Sequence, residues 1–450
     1  MHHHRHAAAA LGALLALAAP AAAFGASYPP PADPGHGQKA PKGPFHTITV
    51  CAKHGKKARG CAKAIQAAIG RAHAGDSVKV PAGVYREHLK INGSSKRYIK
   101  LVGDPKHPGK VVVDGKGSGG NGVTINGADH VTVNGFTARN YSGYGFFAVN
   151  VDGYELTNLR AILTGIYGVY AFNSKGGEIS HSSASWNNDG GFYIGQTPPQ
   201  SKPERSLVTD VSSYDNVIGF SGTNMRYVTI TKSKFFNNGV GIVPNALDSE
   251  KFAPPEDNVI TDNDIFWNNF DYYHAAPFKR RAGATGDFTY PVGVGVVIFG
   301  GRRNRVENNR IYGNYLSGVL EVQQILLKQK DAQELVENTV TNNQFGQGGA
   351  DRNGRDLTCD GDGSGNCFAG NSGVATTEPA DPAVFAPCGP DGTFSGANAF
   401  SAPTQTVVAN WTLDADHETY WVKYPHAAKA GYTPLERYVK GQTPMVQPSR

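Results

Sequence analysis

Glycine recurs at a fixed step through the middle of this 450-residue chain. Gly122, Gly145, Gly168 and Gly191 stand 23 residues apart and open the segments GVTIN, GFFAVN, GVYAFN and GFYIGQ. The series continues at Gly219, Gly241, Gly295 and Gly318, after steps of 28, 22, 54 and 23 residues. Each segment reads as a short strand preceded by turn residues. A repeat of this length cannot bury its apolar face alone, but stacked on its neighbours it can. The period therefore predicts a solenoid with one continuous core, in which each coil advances about 4.8 Å. The 56 glycines and 27 prolines suit short strands joined by tight turns and exclude a fold of long helices.

One coil reads as a strand at Val169–Phe172, a turn at 173–177, a second strand at Glu178–Ser183, a short third strand and a polar turn at Asn187 and Asn188. Alternation sorts the glycine-headed strands into two faces. Val123/Ile125, Phe146/Ala148, Val169/Ala171, Phe192/Ile194, Phe220/Gly222 and Val296/Ile298 form the core face. Thr124, Phe147, Tyr170, Tyr193, Ser221 and Val243 lie opposite, so Phe147, Tyr170 and Tyr193 are expected as an exposed aromatic row. Asn150, Asn173, Gln196 and Asn224 each follow a coil glycine by five residues and are expected to form an amide ladder with a scaffold role. Ile65, Ala68, Ile69 and Ala72, at helical spacing within residues 61–73, predict a helix that caps the first coil.

The period breaks at three insertions, Thr197–Arg205, Ala246–Asp257 and Asn269–Pro291. Loops growing on both flanks of one face make the walls of a groove, with the aromatic row as its floor. Four segments result. Residues 1–23 read as an export signal, with an apolar run at Ala7–Ala19 and small residues at Ala21–Ala23. Residues 24–44 are a Pro/Gly-rich leader, 45–348 the solenoid and 349–450 a cysteine-containing C-terminal cap. No other segment is apolar and long enough to span a membrane, so a secreted or extracytoplasmic monomer is expected. In an oxidising compartment the five cysteines should pair as Cys51–Cys61 and, among Cys359, Cys367 and Cys388, as Cys359–Cys367.

The net charge of +6 is mild, and the basic residues form no stripe interleaved with aromatics. This argues against a nucleic-acid partner and leaves an acidic polysaccharide as the partner class. Gly117–Gly122 matches a dinucleotide-binding glycine pattern, but a strand follows it where a helix is required. Asp360–Gly365 opens like a calcium loop whose twelfth position is Asn371 in place of glutamate, so it reads as a disulfide-closed turn. No cofactor is assigned, and calcium is the metal left open.

The repeats, the helical cap and the amide ladder together resemble the pectate-lyase-like superfamily of right-handed parallel β-helix proteins, over roughly residues 47–348. The resemblance implies an all-β, single-stranded right-handed parallel β-helix of about ten coils. That superfamily includes polysaccharide lyases, glycoside hydrolases, uronate C5-epimerases and non-enzymatic surface proteins. Removing the proton beside a uronate carboxylate needs a cation to neutralise that carboxylate and a base. Tyr193, His181 and Asp189, with His274, Arg280 and Arg281 of the third insertion, are the catalytic candidates. Phe147, Tyr170, Tyr193 and Lys279 are the substrate-binding candidates. Three readings stay open: a lyase or epimerase acting on a uronate polymer, a non-catalytic glycan-binding or surface module, and a hydrolase using Asp189 and Asp215. Glu321 interrupts an apolar position and is expected either to pair with an arginine such as Arg302 or to be functional.

Overall fold

The computed structural model describes residues 37–52, 59–116, 119–270, 272, 290–325, 327, 328, 330–348 and 351–413. Eleven strands form one parallel sheet in chain order. They are β1 (Leu89–Asn92), β2 (Val123–Asn126), β3 (Phe146–Val149), β4 (Val169–Phe172), β5 (Gly190–Gly195) and β6 (Ile218–Thr223). β7 (Val240–Asn245), β8 (Val294–Phe299), β9 (Ser317–Val322), β10 (Leu357–Cys359) and β11 (Thr377–Glu378) complete it. Val123, Phe146, Val169, Phe192, Phe220, Ile242, Val296 and Val319 are successive register partners. Their spacing repeats the glycine spacing step for step. Twenty other strands pair in parallel within a second sheet. Parallel strands joined coil to coil take the right-handed crossover, and the chain is a right-handed parallel β-helix.

The glycines recur because the coils leave no room for a side chain. A Cβ on Gly122, Gly145 or Gly168 would lie 2.5 Å from the carbonyl oxygen of Gly145, Gly168 or Gly191, one coil on. Gly219 meets Gly241 and Gly295 meets Gly318 in the same way. The strands that follow send Phe146, Val169, Phe192, Phe220, Ile242 and Val296 into a single apolar core.

Buried asparagine ladders tie the coils together. One runs Asn187, Asn216, Asn238, Asn268, Asn314 and Asn353, each Nδ2 donating to the next Oδ1 at 2.8–3.1 Å. A second runs Asn258, Asn304, Asn338, Asn366 and Asn398. A third runs Asn263, Asn309, Asn343 and Asn371. Asn187 of the polar turn is thus buried scaffold. The expected ladder forms only in part. Asn173 donates to Asn150 and Asn150 to Asn126, while Gln196 and Asn224 turn to a different task described below.

The first coil is capped by helix α1 (Ile65–Arg71), with Ile65, Ala68 and Ile69 buried. Glu87 accepts hydrogen bonds from the free Ile65 and Gln66 amides, and Lys96 Nζ donates to the Ile69, Gly70 and Ala72 carbonyls. Both helix ends are satisfied by oppositely charged side chains, as the helix dipole favours.

Parallel pairing continues beyond Gly348. Leu357 and Cys359 of β10 take the inward positions that continue Val319 and Glu321 of β9. Cys51 pairs with Cys61, but the second disulfide is Cys367–Cys388 and Cys359 is a buried free thiol. This corrects the expected Cys359–Cys367 bridge. Cys359 continues the inward row of the eleven-stranded sheet, whereas Cys367 pairs opposite Thr339 in the other sheet. The Asp360–Gly365 turn is therefore not closed by that bridge. Helix α2 (Ala402–Leu413) follows, and its Gln405 donates to Asp360 and to Gln323.

Candidate functional site

The outer face of the eleven-stranded sheet carries one straight row. Lys90, Thr124, Phe147, Tyr170, Tyr193, Ser221 and Val243 are register partners on β1 to β7. The aromatic part of this row is not bare. Tyr144 and Tyr167 precede the coil glycines Gly145 and Gly168 and lie over it. Ring centroids are 4.7 Å apart for Tyr144 with Phe147 and with Tyr170, 4.8 Å for Tyr167–Tyr170 and 4.5 Å for Tyr167–Tyr193. Phe147 and Tyr170 stack at 4.6 Å, and Tyr170 and Tyr193 meet edge-on at 4.6 Å.

The expected exposed row is consequently corrected. Tyr170 is 6% exposed and Tyr193 is fully buried, while Tyr144, Phe147 and Tyr167 are half-buried. The second layer of rings accounts for the difference. It leaves an aromatic surface of five rings in which the turn tyrosines and Phe147 reach solvent.

At the end of this surface the Tyr193 hydroxyl donates to Glu250 Oε1. Glu250 belongs to the second insertion. Gln196 Oε1 accepts from the Lys251 amide, and Asn224 Nδ2 donates to the carbonyls of Leu247, Glu250 and Lys251. The two amides expected to extend the ladder instead hold this loop against the sheet and set the position of Glu250. Glu250 Oε2 is buried and has no hydrogen-bond partner among the described residues. Burial, reinforced by the charge of Asp189, pushes the Glu250 carboxyl up to about 8 against the pull of the Tyr193 hydrogen bond. Burial, with Glu250 next in weight, likewise raises the Tyr193 and Tyr170 hydroxyls.

Asp189 is half-buried and close enough to act on Tyr167, Tyr170 and Glu250. The other candidates do not join it. His181 is exposed in a left-handed bend, φ +47°, between Glu178–Ser180 and Ser183–Ser185 of the other sheet. It does not share a face with buried Tyr193. Asp215 is buried in the turn before β6, where Asn237 donates to it and burial holds its carboxyl well above the usual range. It sits in a scaffold turn at φ +57°. His274, Lys279, Arg280 and Arg281 lie outside the described residues. Among the described residues no group of three or more His, Cys, Asp or Glu side chains could hold a metal ion.

Three site residues were not singled out from the sequence as candidates: Glu250, Tyr144 and Tyr167. The two tyrosines carried a usable signal, since they stand 23 residues apart and each immediately precedes a coil glycine. Glu250 carried only its place in an insertion.

No protein-family signature matches the chain, and no curated protein resembles it. Solved structures do. The A-module of the Azotobacter vinelandii mannuronan C-5 epimerase AlgE6 aligns over 69% of this chain and 90% of its own, at 19% identity and a TM-score of 0.47. The A-module of AlgE4 from the same organism aligns over 70% and 91%, at 16% identity and a TM-score of 0.45. Pectate lyase Pel9A aligns over 74% and 76%, at 15% identity and a TM-score of 0.43. By its own strand pairing the chain has the fold of a right-handed parallel β-helix.

Proposed function

We propose that the chain cleaves a polysaccharide laid along the outer face of β2 to β5, with Glu250 and Tyr193 as its proton-transfer pair. The observation that carries this reading is the Tyr193–Glu250 hydrogen bond at the edge of the aromatic surface. Sugar rings pack on half-exposed aromatic faces through their apolar C–H edges. A carboxyl near 8 is protonated at neutral pH and can give its proton to the leaving glycosidic oxygen. In β-elimination from a uronate, the C–O bond breaks as the proton beside the carboxylate leaves. One proton passes from the pair to the leaving oxygen and one returns to it from the sugar carbon, so the pair ends as it began.

The complete burial of Tyr193 supports a second reading, a module that binds glycan on the same rings without turnover. One experiment separates them. Purified protein is incubated with alginate, pectate, a heparinoid and a neutral glucan, following the unsaturated-uronate absorbance and new reducing ends. Product from the wild type that is lost in Glu250→Gln supports cleavage, and the absorbance distinguishes elimination from hydrolysis. Retention on a polysaccharide column without any product supports the module. Product that survives Glu250→Gln removes Glu250 from the mechanism.

A further inference from the structure

The aromatic row does not end at Phe147. Its next two members are Thr124 on β2 and Lys90 on β1, and beside them lies a cleft of about 370 Å3 lined by His88, Lys90, Gly120, Asn121 and Thr124. From its shape and charge we infer that this cleft is a second subsite, binding an anionic group on a sugar of the same glycan. The inference rests on the proposed polysaccharide reading and adds to it a distant anchor and a polarity.

The cleft is built from fixed parts. Gln66 accepts from the Lys90 amide at 2.7 Å and donates to the Lys90 carbonyl at 3.2 Å, so helix α1 pins the backbone that carries the lysine. Among the described residues Lys90 has no ion-pair partner, and its side chain is exposed at the rim. His88 Nδ1 donates to the Asn121 carbonyl at 2.9 Å, and the ring packs edge-on against Tyr141 at 5.3 Å. That bond fixes the imidazole orientation. Gly120 has φ +87°, and a Cβ there would come within 3.3 Å of His88 Nδ1, so the absence of a side chain keeps the space open. Asn121 Nδ2 donates to Thr124 Oγ1 at 3.2 Å and ties the floor to the row. The volume falls within the range of small-molecule sites, and an exposed ammonium at its rim is suited to one carboxylate or sulfate.

The geometry also sets a length. Lys90 and Tyr193 are four strands apart, so their backbones stand about 19 Å from one another along the coil axis. A glycan reaching from the cleft to Glu250 must be several sugars long, with its anionic anchor at the Lys90 end. The two ends differ in charge. The cleft offers the Lys90 ammonium, whereas the Glu250 end offers carboxyls, of which Glu250 is neutral at pH 7. An anionic chain is therefore drawn to the Lys90 end.

The test is calorimetric titration of uronate disaccharide, uronate hexasaccharide, sulfated hexasaccharide and neutral hexasaccharide into wild-type protein, Lys90→Glu and Phe147→Ala. Lys90 is exposed, so its variant should keep the wild-type melting temperature. The expected result is that Lys90→Glu weakens the anionic hexasaccharide by ~10-fold or more, as loss of a charge-assisted hydrogen bond implies. Binding of the neutral hexasaccharide should not change. Dependence on Lys90 for the uronate alone assigns a carboxylate, and for the sulfated sugar alone a sulfate. Hexasaccharide binding that is lost in Phe147→Ala but unchanged in Lys90→Glu overturns the subsite and leaves the polysaccharide reading standing. No binding of any glycan by the wild type overturns both.

Discussion

Glu321 of β9 and Cys359 of β10 are register partners on the inward face of neighbouring coils, so a carboxyl and a free thiol sit together inside the apolar core. Both Glu321 oxygens are buried and lack a hydrogen-bond partner among the described residues. Of the two expectations for Glu321, pairing with an arginine or a functional role, the pairing is not made among the described residues. Burial, with the charge of Asp360 second, pushes its carboxyl from an ordinary 4.5 up to about 8.

The sign of the stability effect follows. The folded state holds the Glu321 proton between pH 4.5 and 8, whereas the unfolded chain releases it. The stabilisation is thus complete below pH 4.5 and is lost progressively as pH rises to 8, by an amount on the order of 5 kcal/mol. Melting curves from pH 5 to 8 should show a falling transition temperature. Glu321→Gln should flatten that fall, and an unchanged slope would refute the assignment.

Cys359 should behave as an inert thiol. Burial, then Glu321 and Asp360, hold its ionisation well above the usual thiol range, and the thiolate is the reactive form. A thiol reagent at pH 8 should label less than one cysteine per folded molecule and one after denaturation. Rapid labelling of the native protein would show that this coil opens.

Two glycines should respond with opposite signs. Gly168→Ala places a Cβ 2.5 Å from the Gly191 carbonyl oxygen and 3.0 Å from the Ala161 Cβ. It should cost about 3 kcal/mol or more, because two coils must move apart. Gly70 lies exposed in helix α1 with no atom near its would-be Cβ. Gly70→Ala should stabilise by about 0.5–1 kcal/mol through helix propensity alone. Denaturant midpoints of the two variants check both signs.

The ladders make a graded test. Asn238 is fully buried, donates to Asn268 Oδ1 and to the Ser213 carbonyl, and accepts from Asn216. Asn238→Ala strands several buried polar groups at once, at about 1–3 kcal/mol each. Asn150→Ala removes an exposed rung and should cost less than about 1 kcal/mol. Equal costs would show that the buried amides are not what holds the coils in register.

The fold was legible because the glycine step and the coil register are the same physical constraint. A carbonyl of one coil occupies the space of a Cβ on the last, and that exclusion is written at every turn of the chain. The aromatic row was legible in position, since Phe147, Tyr170 and Tyr193 do align. Its burial was not, because strand alternation says which face a residue takes and not what else lies on that face. Tyr144 and Tyr167 supply the cover from the preceding turn. Glu250 was beyond reach for another reason: its position depends on Gln196 and Asn224 folding an irregular loop onto the sheet, and insertions carry no period. The second disulfide was misread because nearness in sequence between Cys359 and Cys367 hides their place on different sheets.

The proton-transfer pair makes the last prediction. With its carboxyl near 8, Glu250 is a competent acid at neutral pH and loses that role as pH rises through 8. The rate of glycan cleavage should therefore fall on the alkaline side of pH 8, and Glu250→Gln should lower it by about 10²–10⁴-fold at pH 7. Tyr193→Phe tests the coupling. Its hydroxyl donates to the carboxylate and so favours the charged form. Without it the Glu250 carboxyl should rise further, moving the alkaline limb of the pH–rate profile to higher pH even as the rate drops. A limb that stays in place in Tyr193→Phe would mean that the group titrating there is not Glu250.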